Sequence, residues 1–373
     1  MKGSIPNNEQ QARETIVRAG IELKKAGLIV RTWGNISCRI DNTRFAITPS
    51  GRAYEALKPE DIVICNITDG KTAMGNLGTV SLSGNIKPSS EKGVHALIYR
   101  QSREAGFVIH THQRFASAAA SSNVTAIQDD KMGKIPAAAY GLPGTKKLMR
   151  NVEAVMAQAK GAILMSHHGA LCYGKGYSET FDTANALEAA CKRFMHNSYL
   201  KVSAAKNFDK QQMLDYYVRK VTKDQISMDG RFRTESYKLD TVFKAIYAAR
   251  PDIKHIELAD EENVTAVSLA KKPLPLLLDD FAQMMGRPMC IARDNTPKAI
   301  VKALGKNSGV LIPGAGALCC AASESDAQAL ALVTEKNALA EICAAMQGKP
   351  KPLPFFDCFL MHLVYTKKYA KQR

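Results

Sequence analysis

Two stretches of this chain repeat one another, and that repeat limits its fold more than any single motif does. Residues 161–180 read GAILMSHHGALCYGKGYSET, and residues 309–328 read GVLIPGAGALCCAASESDAQ. Each is an apolar run of strand length, a turn of small residues closing on Gly-Ala-Leu-Cys, and a serine-led, alanine-rich helical stretch. A looser pair lies upstream: SREAGFVIHTHQRFASAAASSNVTAI over 102–127 and RPDIKHIELADEENVTAVSLA over 250–270. Such self-similarity describes two related units in tandem, 1–205 and 206–373, and a chain of 373 residues is long enough for two cores.

The polar chemistry is not repeated. Aligned on Gly-Ala-Leu-Cys, His168 falls opposite Ala315, while His110 and His112 fall opposite roughly Glu257 and Ala259. The second unit reads as a copy that kept its apolar pattern, lost a site and serves as a packing partner. Of the 8 histidines, six (His95, His110, His112, His167, His168 and His196) belong to the first unit. FVIHTHQ, residues 107–113, places His110 and His112 two apart on a strand, where side chains share a face. Two such imidazoles can hold one metal ion. A catalytic zinc takes three protein ligands and keeps a position open, and His167-His168 after the next apolar strand can supply the third. The alternative is a set of hydrogen-bonded core histidines.

Glu91, in KPSSEKGVH, opens a helix behind Ser89 and Ser90. Free N–H groups, the positive end of the helix dipole and two hydroxyls suit an anion such as phosphate. A carboxylate beside both an anion pocket and a metal can act as base or as a further ligand. The plain alternative is a helix cap with a favourable first-turn acid. His95, one turn on, reads as a helix-face histidine. Two turns resemble further phosphate contacts: Gly34-Asn35 in TWGNIS and Ser50-Gly51 in TPSGRAYE, where glycine permits close backbone approach. The remaining pattern predicts a helix over 8–26, capped by Asn8 and stopped by Gly27. It predicts strands over 35–39, 44–47, 61–66, 107–111 and 162–166, and helices over 89–103 and 178–199. Strands and helices mix without a strict β-α-β rhythm, which predicts an α/β fold with a mostly antiparallel sheet.

Composition narrows the partners. Net charge is +16, which suits anionic small molecules as well as nucleic acid. No nucleic-acid recognition signature accompanies the charge, so no nucleic-acid partner is expected. No apolar run reaches the ~20 residues of a membrane span, and MKGSIPNNEQQARET has no apolar signal core, so the expected location is cytoplasmic. The 9 cysteines are scattered without C-x-x-C and read as reduced, buried thiols. PGAGA at 313–317 lacks the third glycine of a dinucleotide loop, and the repeat accounts for it.

Taken in order, G-N-I-S, I-T-P-S-G-x-x-Y-E-x-L, P-S-S-E, I-H-T-H, A-Y-G-L-P-G-T and H-H-G-A resemble the class II aldolase/adducin family over residues 8–200. The resemblance implies a three-layer fold with a central, mostly antiparallel sheet flanked by helices, present twice in tandem. It implies one zinc per chain, with manganese or cobalt as alternatives, held by His110, His112 and His168. His167 stands where relatives often have Asn or Gln. Glu91 is implied as general acid/base, and Gly34, Asn35, Ser50, Gly51, Ser89 and Ser90 match phosphate-pocket positions. Tyr140 matches a proton-donating tyrosine that in family aldolases comes from a neighbouring subunit.

The implied reaction is cleavage of a ketose 1-phosphate to dihydroxyacetone phosphate and a short aldehyde by metal-assisted enediolate chemistry. Family aldolases carry Glu in P-S-S-E and the 4-epimerases typically Asp, so Glu91 favours an aldolase. A related epimerase or dehydratase, or a non-enzymatic adducin-like assembly protein, are the alternatives. Single-domain relatives form tetramers with sites between subunits, which implies a homo-oligomer here, as a dimer forming a pseudo-tetramer or higher. The stretch 68–87 is long for the hairpin before P-S-S-E and is expected to influence substrate choice.

Overall fold

The structure, a computed structural model, describes residues 8–29, 31–73, 86–222 and 239–369. Most of the 68–87 stretch lies outside them. The chain forms two compact units: residues 1–120 with 124–194, and residues 121–123 with 195–373.

The first unit opens with α1 (Glu9–Lys25). Asn8 caps it by accepting from Gln11 N–H, and Gly27 ends the run at a positive φ of 71°. Its apolar face, Ala12, Ile16, Ala19 and Leu23, recurs at steps of three and four and is fully buried. Strands β1 (Asn35–Arg39), β2 (Arg44–Ile47) and β3 (Val63–Asn66) follow, then α2 (Lys92–Gln101), β4 (Phe107–Thr111), α3 (Arg114–Ala120), β5 (Ala126–Asp129) and β6 (Gly133–Ala138). The unit closes with α4 (Lys146–Met156), β7 (Ala162–Met165), β8 (Gly169–Gly174) and α5 (Tyr177–Ser203), a helix that runs on into the second unit.

The eight strands make one sheet, ordered β3-β2-β1-β4-β8-β7-β6-β5. Every neighbouring pair is antiparallel except β6 with β7. Alternation along the strands sorts the side chains into two layers. Ile36, Cys38, Phe107 and Ile109 pack with α1, α3 and α5, while Val108, Ile163 and Leu171 pack with α2 and α4. A helix layer therefore covers each face, and the parity of Val108 turns His110 toward the α2 side.

The second unit contains α6 (Lys210–Thr222), α7 (Leu239–Ala249), β9 (His255–Ala259), α8 (Glu262–Leu269), α9 (Asp279–Met285) and α10 (Pro297–Leu304). Strands β10 (Gly309–Ile312) and β11 (Gly316–Ala321) then lead to α11 (Glu324–Met346) and α12 (Phe355–Val364). Its sheet has three strands, β10-β11-β9, all antiparallel. Of the fold expected twice, the second unit shows this part: no strands like β1 to β3 stand before β9 among the described residues. The apolar residues there, Met213, Leu214, Tyr217, Val218, Val242 and Ile246, recur at helical steps and form α6 and α7 instead.

What does recur is detailed. The turn over 165–169 is closed by His168 N–H donating to Met165 O at 3.0 Å, and Ala315 N–H donates to Ile312 O at 3.0 Å. His167 and Gly314 hold φ of 63° and 70° in these turns. A Cβ on Gly169 would overlap Thr111 O, and one on Gly316 would overlap Ala259 O. On the long helix, Glu188 accepts from the N–H groups of Phe115 and Ala116, which open α3. Glu335 accepts from Val264 N–H and the Asn263 amide at the start of α8. PGAGA is thus the turn of the β10–β11 hairpin. The pairings also refine the alignment by one residue. His110 faces Leu171 across β4–β8 and Leu258 faces Leu318 across β9–β11, so Leu258 and then Asp260 stand where His110 and His112 do.

Candidate metal centre

His110 lies at the end of β4, His112 one residue beyond the strand, and His168 in the turn entering β8, the strand next to β4. Strand parity aims the first two together, and the β4–β8 pairing brings the third beside them. Their ligand nitrogens all lie within 4.8 Å of one another, and the three side chains are buried. The rings of His110 and His168 stack with centroids 4.6 Å apart, and the His110 and His112 Nε2 atoms are 3.0 Å apart. His110 Nδ1–H donates to Ala170 O at 2.9 Å, which leaves the Nε2 lone pair pointing into the cluster.

Glu91 meets the cluster from above. Its position differs slightly from the expected first helical turn: it is the N-cap of α2, and its side chain makes no capping bond. Val94 N–H, which a capping side chain would serve, donates to the Glu91 backbone carbonyl at 2.9 Å, and Glu91 N–H itself donates to Ser89 Oγ at 3.2 Å. The carboxylate is free to reach forward, with Oε1 2.8 Å from His168 Nε2 and Oε2 3.1 Å from His110 Nε2. Burial alone would push this carboxyl up; the His110 and His168 charges and hydrogen bonds from His168 and Asn35 outweigh burial and hold it well below the carboxylate range. Burial drives the His110 imidazole well below its usual range, with Glu91 pulling the other way.

Three inward-facing imidazoles and a carboxylate suit a divalent transition ion. Tetrahedral ligands at about 2.0–2.1 Å stand about 3.3 Å apart, and the 3.0 Å His110–His112 and 2.8–3.1 Å Glu91–histidine separations are close to that. The donor set thus fits His110, His112 and His168 as ligands with Glu91 as a fourth.

The remaining expected residues surround this centre through backbone stitching. Thr48 N–H donates to Ile36 O at 3.0 Å, Ser50 N–H to Lys87 O at 2.9 Å, and Ser89 N–H to Thr48 O at 3.1 Å. Ser50-Gly51 and Ser89-Ser90 are thereby drawn to the Asn35 strand. Gly144 packs on Ser90, where a Cβ would stand 3.3 Å from the Ser90 Cβ. Gly34 has a packing reason as well: its φ is 100°, and a Cβ would lie 2.7 Å from His110 O. The Tyr140 ring sits edge-on to His167 of its own chain at 5.8 Å, beside the His168 turn. Asn35 does more than a turn donor would. Its Nδ2 donates to Glu91 Oε2 at 2.8 Å while its Oδ1 meets His95 Nε2. His95 is, as expected, a histidine on the face of α2 and outside the cluster; that this face is fully buried and bonded to Asn35 is what sequence reasoning missed. Its spacing, one turn after Glu91, was the available signal.

The model of the class II aldolase and adducin N-terminal domain matches residues 14–195 and again 214–342. The chain belongs to that family. It is 31% identical over 185 residues to a 5-deoxy-D-ribulose 1-phosphate aldolase of Bacillus thuringiensis serovar kurstaki, covering 48% of this chain and 82% of the relative. It is 28% identical over 201 residues to the L-ribulose-5-phosphate 4-epimerase UlaF of Salmonella paratyphi C, covering 49% and 83%. Among solved structures it is similar to an L-fuculose-1-phosphate aldolase from Thermus thermophilus, with 23% identity, a TM-score of 0.43 and coverage of 53% of this chain and 99% of that one. No helix among the described residues is long and apolar enough to cross a membrane.

Proposed function

We propose that the first unit is a metal-dependent aldolase that cleaves a ketose 1-phosphate to dihydroxyacetone phosphate and a short aldehyde. The observation that carries this reading is the Glu91 carboxylate seated on three converging histidines. A divalent ion held by His110, His112 and His168 supplies Lewis-acid stabilisation of the charge that develops on the substrate ketone oxygen. Ser50, Gly51, Ser89 and Ser90, with Gly34 and Asn35, hold the phosphate and fix the sugar's register. As the C3–C4 bond breaks, its electron pair moves into C2–C3 and the C4 hydroxyl gives up its proton at the Tyr140 end; the resting Glu91 carboxylate takes up a proton in the same step and returns it to C3, so that the proton lost at C4 balances the one gained at C3. Glu at this position is the family resemblance that favours bond cleavage over epimerisation. The similarity to a named 4-epimerase keeps stereochemical inversion at C4 of a pentulose phosphate as the second reading.

We further propose that residues 206–373 are a degenerate aldolase-like unit without metal ligands, and that the chain works as a homo-oligomer, a dimer imitating a tetramer. The second family match, the repeated turn and the repeated glutamate cap support descent from a common unit. Leu258, Asp260 and Ala315 at the ligand positions support silence.

Metal content of protein purified without chelator is the first test. About one zinc per chain, lost in His110→Ala, is the expected result. Ketose 1-phosphates are then screened for released dihydroxyacetone phosphate, and L-ribulose 5-phosphate for inversion at C4 by NMR. Inversion without cleavage replaces the aldolase with the epimerase. A protein that neither carries nor takes up metal sinks both.

A further inference from the structure

We infer that His95 is a positioning residue that locks Asn35, and through it the Glu91 carboxylate, in register with the histidine cluster. The inference deepens the metal-enzyme reading above and rests on it.

The geometry runs as one chain of bonds through the layer between β1 and α2. Tyr99 Oη is 2.7 Å from Ser37 Oγ, Ser37 Oγ is 2.6 Å from His95 Nδ1, His95 Nε2 meets Asn35 Oδ1, and Asn35 Nδ2 is 2.8 Å from Glu91 Oε2. All five side chains are buried. Chemistry fixes the direction of every link. An ionised carboxylate only accepts, so Asn35 must present its NH2 to Glu91, and its oxygen then faces His95. That oxygen needs a donor, so Nε2 of His95 carries the hydrogen. A neutral imidazole has one N–H, so Nδ1 accepts from the Ser37 hydroxyl, and Ser37 in turn accepts from Tyr99. Burial pushes the His95 pKa down to about 4, consistent with a neutral ring.

No link can be reversed without setting acceptor against acceptor at Glu91. Without the His95 N–H, Asn35 can rotate and turn its oxygen on the carboxylate. Glu91 then loses one of the bonds that hold Oε2 beside His110, and the fourth position of the cluster loosens. Outer partners of this type typically change metal affinity or turnover by ~10–100-fold.

The test uses the full chain loaded with cobalt(II), whose visible absorption reports the number and symmetry of its ligands. The variants are His95→Phe, which removes the donor, and His95→Gln, which keeps one. Ser37→Ala frees the ring to take the other tautomer, and Tyr99→Phe removes only the last hydroxyl. His95→Phe is expected to change the cobalt spectrum and weaken cobalt binding ~10–100-fold. His95→Gln restores much of both, and Ser37→Ala and Tyr99→Phe fall in descending order of effect. Where turnover is measurable, kcat falls and KM for the sugar phosphate holds. Should His95→Phe fail to fold, Ser37→Ala removes far less volume and is expected to shift the spectrum and weaken binding in the same direction, by less. A folded His95→Phe or Ser37→Ala with the parent's spectrum and affinity overturns the inference. Absence of cobalt binding in the parent instead overturns the metal-enzyme reading, so the two failures are told apart.

Discussion

Glu341, on α11, shows how a single residue away from the cluster sets a pH dependence. Burial raises its carboxyl from 4.5 to about 7, partly opposed by the Tyr217 hydroxyl that donates to it and by Lys272. Between those values the folded chain keeps a proton that the unfolded chain has released, so stability falls as pH rises through that window. A shift of this size corresponds to about 3 kcal/mol at most. Glu341→Gln keeps the shape and cannot ionise. Its stability relative to the parent, from urea unfolding at pH 4.5 and at pH 8, should rise by roughly 2–3 kcal/mol; a difference that does not change with pH refutes the assignment. Legibility at this scale follows sequence distance. His110 and His112 were readable because strand parity alone places them together. Asn35 was read as a turn donor because its partners Glu91 and His95 lie 56 and 60 residues away, and only the sheet and α2 bring them near.

At the scale of elements, α2 carries the site at its N-terminus and is anchored at the other end by Arg39. That guanidinium, almost wholly buried at the end of β1, donates to Ala105 O at 2.7 Å, Tyr99 O at 2.7 Å and Ser102 O at 3.0 Å, and lies 4.8 Å above the Tyr99 ring. Tyr99 O and Ser102 O stand at the helix end, where a cation is favoured, and Ala105 O lies in the loop just beyond it. Arg39→Met keeps the apolar stem but takes the donor from Tyr99 O and Ala105 O, while Ser102 O keeps Ala105 N–H at 3.2 Å, and about 3 kcal/mol of stability should be lost. Since Tyr99 also ends the His95 bond chain, the cobalt spectrum should shift in the same variant. A loss under about 1 kcal/mol would place the carbonyls in contact with water. Local signals named the elements that frame the site: β1, β2 and β4 have the expected ends, because turn residues or glycine bound each one. β5, β6 and α4 were not foreseen, because Gly133–Ala138 has neither alternation nor β-branched residues apart from Ile135, and its strand state comes from pairing with β5 and β7.

For the whole molecule, the repeat was readable while its incompleteness was not. Motif similarity marks β7-turn-β8 and its copy, but that no β1 to β3 equivalent stands before β9 among the described residues follows only from what lies between the copies. The proposed homo-oligomer requires a surface on this chain, and α12 offers one. Cys358 and Met361 pack inward, while Phe355, Phe356 and Phe359 are 75%, 71% and 51% exposed. At roughly 200 Å² per phenylalanine, these rings expose about 400 Å² per chain, an apolar patch as large as most monomers tolerate. A two-fold pairing through α12 therefore covers about 800 Å² from the rings alone, short of the ~1,200 Å² at which specific interfaces begin, so residues beside the rings must add to it. The occupant expected is a second copy of this chain. Sedimentation velocity at micromolar concentration should show a dimer or larger for the parent, and at least a tenfold weaker association for Phe355→Ser, Phe356→Ser and Phe359→Ser combined. The triple variant should keep the parent's metal content, since no residue of α12 belongs to the histidine cluster. Unchanged association in the triple variant moves the interface elsewhere. A monomeric parent that binds anionic vesicles gives this face to a lipid surface.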